Sequence, residues 1–137
     1  MKEILFRGKA IDDNWYYGVP LVFTEDYVCM TAPHTYNKAV IPETVGQYTG
    51  LTDKNGNKIF EGDIVKEVYE VFVSAREKEK RTKIGYVEYS DCSFCNGYYA
   101  YFWYGKEKWR GNFAIHRGCE VIGNIHDNPE LLKGGAE

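Results

Sequence analysis

The chain has 137 residues, a formal charge of -3 and a sequence pI near 5.7, so it is expected to form one compact domain, or one domain with a lobe. That balance gives no global pull toward a phosphate backbone, and non-specific nucleic-acid binding would need a local basic patch. Aromatic residues make up 16%, and fourteen Gly stand against four Pro, which favours pleated sheet over a helix bundle. The expected class is all-β.

The start, Met1 to Gly8, holds only three consecutive apolar residues, far short of a signal-peptide core or a membrane span. The reading is therefore a cytoplasmic protein with no membrane partner, whose four Cys stay reduced.

Residues 4–9 and 15–22 read as strands that pair through the polar turn Asp12-Asp13-Asn14, and 27–31 as a third strand. From 31 to 41 the pattern dissolves into an exposed loop before Val40-Ile41 and Pro42, closing an N-terminal β lobe over 1–43. Residues 44–65 are the most informative stretch. Gln47-Tyr48-Thr49 is extended, Gly50 interrupts it, Asn55-Gly56 supplies a tight reversal, and Lys58-Ile59-Phe60 resumes a strand. Glu61-Gly62-Asp63 bends the chain into Ile64-Val65, and the whole argues for a small β-barrel.

Residues 64–73 continue as a strand into the charged block 74–83, expected to be a solvated hairpin tip. Strands return at 85–89, 98–104, 112–115 and 120–125. Residues 126–137 form a tail in which 127–132 begins a helical turn, with an Asx cap and Pro129 at its first position.

Five blocks, TVGQYTGL (44–51), DKNG (53–56), IFEGDIV (59–65), EVIGN (120–124) and DNPELL (127–132), resemble the YopX family in order. The opening Phe6-Arg7-Gly8-Lys9, with Trp15 and Gly18, is also similar to that family's start. The resemblance implies a mainly-β fold with an SH3-like barrel element, here over 44–125, and a phage or prophage origin. It carries over no catalytic residues, and it does not extend to the Cys-containing segment, where inference rests on spacing.

That segment pairs Cys92 and Cys95 with His116 and Cys119 after a hairpin's worth of chain, the spacing of a closed structural Zn²⁺ site. The competing reading needs no cofactor: Cys92 and Cys95 sit in a turn, Cys119 packs beside Val121 and Ile122, and Cys29 packs in the first sheet.

The basic run carries Arg76, Lys78, Lys80, Arg81 and Lys83 against Glu77 and Glu79, a local charge of plus three. It would hold only about three phosphates, too few without stacking help from aromatics. Tyr86, Tyr89, Tyr99, Tyr101 and Trp103 are candidates for that stacking, or for a cross-strand ladder with no binding role. The same aromatic surface, with Trp109, equally suits a protein partner or homo-oligomer contact.

Signals for catalysis are thin. Glu61 and Asp63 flank a bend where Asp63 better serves the turn, His34, His116 and His126 have no nucleophile arrangement beside them, and no phosphate-cradling loop is present. The sequence thus reads as a non-catalytic interaction or assembly module, with a nucleic-acid-binding accessory factor as the alternative.

Overall fold

The computed structural model describes residues 4–31, 37–92, 95–104, 107–114 and 118–133, with side chains described for 4–31, 37–89 and 118–132. Its architecture is all-β: two antiparallel sheets and, among the described residues, one short helix. The chain divides into two compact units, Met1–Gly50 and Leu51–Glu137.

In the first unit β1 (Phe6–Lys9) and β2 (Trp15–Phe23) form the expected hairpin, with Phe6 opposite Gly18 and Lys9 opposite Trp15. The reversal works because Asp13 adopts φ 67 and the Asp12 carboxylate accepts the Asn14 N–H at 3.0 Å. β3 (Val28–Thr31) pairs with β2, and β4 (Lys38–Val40) pairs with β3, setting Val40 opposite Val28.

The sequence reading placed 31–41 in a loop. Residues 38–40 instead form an edge strand, one too short for its period to show, and 32–36 lie outside the described residues. Ala10, Val28, Met30 and Val40 make the core, with Phe6, Tyr16 and Val45 packed against it. A 3-10 turn at Pro42–Thr44 is pinned to β1 by Thr44, whose Oγ1 accepts the Lys9 N–H at 2.8 Å. β5 (Gly46–Thr52) then pairs with β1 and crosses the unit boundary, and β6 (Lys58–Phe60) follows it in the order β4-β3-β2-β1-β5-β6.

The second sheet runs β10-β9-β8-β7-β11, built from β7 (Asp63–Phe72), β8 (Lys78–Cys92), β9 (Cys95–Tyr104), β10 (Glu107–Ala114) and β11 (Glu120–Asn124). Its core collects Ile59, Val65, Val87 and Cys119, with Val121 against them. At the 61–63 bend Gly62 takes φ 87, donates its N–H to Val87 O and accepts from Ile125 N, each at 2.8 Å. The bend therefore ties β8 to the end of β11 through one residue.

The helical turn is α1 (Glu130–Lys133). Asn128 precedes it, but its Oδ1 accepts the Asn124 N–H at 3.3 Å, so the side chain turns back onto β11.

Candidate functional site

β7 and β8 extend past their neighbours as a two-stranded ribbon. β11 pairs with β7 only over residues 63–66, and β9 with β8 only over 86–92. Between those limits and the tip, Glu67 to Phe72 pair solely with Lys78 to Lys83. The expected tip over 74–83 is thus corrected: only 74–77 turn, and the charged residues from 78 onward are strand. Alternating Lys, Glu and Arg suits a ribbon wet on both faces, a pattern easily taken for loop.

Register makes the ribbon neutralise itself. Across the strands Lys83 Nζ lies 3.3 Å from Glu67 and Lys78 Nζ 3.9 Å from Glu70, and along β8 itself Arg81 lies 3.6 Å from Glu79. Lys78 also sits 5.1 Å above the Phe72 ring and Lys83 5.2 Å above that of Tyr69. Five cations over 67–83 meet four carboxylates, which leaves roughly one charge in place of the three counted on one strand. Of the predicted binding residues here, Arg76 and Lys80 are exposed and make no ion pair among the described residues, while Lys78 and Arg81 are paired.

The tip is fixed by its own bonds: Ser74 Oγ accepts the N–H groups of Arg76 and Glu77, and Val73 N bonds Glu77 O at 3.0 Å. Phe72, on the Lys78 and Lys80 side of the ribbon, is 71% exposed.

The aromatic strands are placed by backbone register. Tyr99 stands opposite Glu88 and Ala114, Tyr101 opposite Tyr86 and Asn112, Trp103 opposite Lys108, and Trp109 opposite Phe102. The side chains of these four predicted residues lie outside the described residues. In the proposed metal set, Cys92 and Cys95 are register partners closing the β8–β9 hairpin. Their side chains, and all of His116, lie outside the described residues, and Cys119 is fully buried beside Ile59, Val65 and Val87. His34 also lies outside them. Asp63 Oδ2 accepts the Phe60 N–H at 2.7 Å, so its carboxylate serves the bend beside it.

A second exposed hairpin end escaped the sequence reading, which stopped that strand at residue 22. β2 runs to Phe23, which is 68% exposed, and Leu21, Val22 and Tyr27 are exposed with it. Thr24 closes the turn on itself: its N–H and Oγ1 both donate to Tyr27 O, and its Oγ1 accepts the Tyr27 N–H at 3.0 Å. Glu25 and Asp26 stand exposed at that turn, with no ion pair among the described residues. The signal was local: a Thr-Glu-Asp turn directly after an apolar run.

Fold and surface together define a two-sheet, all-β protein with large apolar side chains at two hairpin ends. The chain matches the model of the YopX protein family over residues 6–133, and it belongs to that family. It is similar to the crystal structure of protein EF1440 from Enterococcus faecalis, at 26% identity and a TM-score of 0.51, over 96% of this chain and 99% of that one. No curated protein matches it.

Proposed function

We propose that this chain is a non-catalytic protein-interaction or assembly module, acting on a protein partner or on copies of itself. The carrying observation is the exposure of Phe23 and Phe72, at 68% and 71%, on two hairpin ends already held in shape by their own turn bonds. A large aromatic side chain kept in water on a rigid turn loses little entropy when a partner covers it, which is how interface anchors act.

The finer form of the fold, an SH3-like barrel over 44–125, belongs to the same reading, supported by the Gly62 bend that bonds both β8 and the end of β11. Family membership supports a phage or prophage origin, and hence the bacterial cytoplasm as the working compartment. A structural Zn²⁺ is no part of this reading, since Cys119 sits in an apolar cluster.

The nucleic-acid alternative is disfavoured by the ribbon's internal ion pairs, which leave Arg76 and Lys80 as its unpaired cations among the described residues.

Cross-linked capture from an infected host, followed by titration of the purified captured protein, tests the proposal. Saturable binding that is lost on Phe23→Ser or Phe72→Ser supports it. Absence of saturable binding, or turnover of a co-captured small molecule, contradicts it.

A further inference from the structure

The β8–β9 ladder ends with Asp91 opposite Asn96 and Cys92 opposite Cys95, its last pair. Directly opposed residues of an antiparallel pair share one face and hold their Cα atoms about 4.5–5.5 Å apart, inside the window of about 4.4–6.8 Å that a disulfide spans. Spacing alone reads Cys92-Ser93-Phe94-Cys95 as half of a metal site, whereas register makes its two Cys a facing pair. The other two Cys are placed elsewhere. Cys29 stands opposite Val22 and Ala39 in the first sheet, and Cys119 is fully buried beside Ile59, Val65 and Val87.

We propose that Cys92 and Cys95, register partners at the closed end of the β8–β9 hairpin, form a reversible disulfide by exchange with a small soluble disulfide. The thiolate of one Cys attacks a sulfur of the small disulfide, which forms a mixed disulfide and expels one small thiolate. The second Cys, as thiolate, then attacks the protein sulfur, closing the Cys92–Cys95 bond and expelling the other small thiolate. The protein pair gives up two electrons and two protons, and the small disulfide leaves as two thiols. Only two residues separate the pair, so the ring removes little chain entropy from the unfolded state and stabilises less than a bond across a long loop. Such a bond serves as a switch that cycles more than as a permanent staple, in a chain whose Cys rest as thiols. Apart from the Cys, the run from Ser90 to Gly97 holds Phe94 as its single apolar side chain, a composition that suits a hairpin end reached from solvent by a polar oxidant.

Incubating the full chain with glutathione disulfide over a concentration series, quenching by acid and alkylation, and mapping the peptides by mass spectrometry tests the proposal. Wild type is expected to form a Cys92–Cys95 link that excess reduced glutathione reverses, with Cys29 and Cys119 still alkylated after denaturation. Cys92→Ser and Cys95→Ser are each expected to stop at the mixed disulfide on the remaining Cys. They should accumulate it at least about tenfold above wild type, because closure within one chain outruns a second encounter with glutathione. The wild-type map carries the test even where a variant fails to fold. Mixed disulfides that persist at both positions in wild type, links that draw in Cys29, Cys119 or a second chain, or a pair that stays reduced at every glutathione ratio would overturn the proposal. So would purified protein holding one zinc per chain that shields both thiols from alkylation.

Discussion

The Asp53 carboxylate accepts the Val121 backbone N–H at 2.9 Å, although the two residues lie 68 apart in the chain. Its other oxygen takes the N–H groups of Asn55 and Asn57 at 2.9 and 2.8 Å, and Lys54 N donates to Cys119 O beside it at 3.0 Å. One buried side chain thus closes the β5–β6 turn and fastens it to β11. Replacing Asp53 with Ala strands three backbone donors and is expected to cost about 2–4 kcal/mol. Asp53→Asn, which keeps an acceptor, should cost less. Urea denaturation of the three proteins checks the order.

The same residue sets a pH dependence. Burial raises the Asp53 pKa, but the N–H donors of Val121, Asn57 and Asn55 outweigh it and hold the pKa below its ordinary 3.8. A carboxyl depressed in the folded state binds fewer protons there than when unfolded. Its stabilisation is therefore complete above the ordinary value and is lost as the pH falls through the folded one. Denaturation midpoints measured on descending pH should fall in wild type, with a shallower slope in Asp53→Asn.

Gly62→Ala forces a side chain onto φ 87, a conformation expected to cost about 1–2 kcal/mol. The space around the new Cβ is ordinary, with Ile125 and His126 at 3.7 Å, so the loss is one of backbone strain. Gly8→Ala fails differently, because its Cβ would lie 2.5 Å from Val40 Cγ2. A cost of about 1–3 kcal/mol is expected there, partly recovered in Gly8→Ala/Val40→Ala. Thermal melts of the three variants distinguish strain from overlap.

DNA retention by the ribbon should be weak. With about one net charge over 67–83, its salt slope is expected to be no more than about one, and Arg76→Glu/Lys80→Glu, which makes the ribbon acidic, should remove even that. Anisotropy titrations of single- and double-stranded DNA across salt read this directly. A steep slope abolished by that variant would restore the nucleic-acid reading.

Local chemistry was legible in the sequence, and distant pairing was not. The Asp12-Asp13-Asn14 turn, the Asn55-Gly56 reversal and the Gly62 bend were readable because each needs only its own residues. The ribbon was misjudged because Glu67 and Glu70 neutralise Lys83 and Lys78 only once β7 and β8 are in register. β4 was missed because three residues carry no period. Asp53 looked like an ordinary turn residue, and nothing near it in sequence announces Val121. For the site, the basic positions were legible by type, while Phe23, Glu25 and Asp26 lay between a strand ended at Val22 and one begun at Tyr27 and drew no reading of their own.

The central claim, that the exposed hairpin ends carrying Phe23 and Phe72 are contact surfaces, is tested most directly by titrating the captured partner into wild type, Phe23→Ser and Phe72→Ser. The account predicts saturable binding by wild type that at least one of the two substitutions weakens about tenfold or more, with the melting temperature unchanged. Equal binding by all three proteins, or no saturable binding at all, would contradict it.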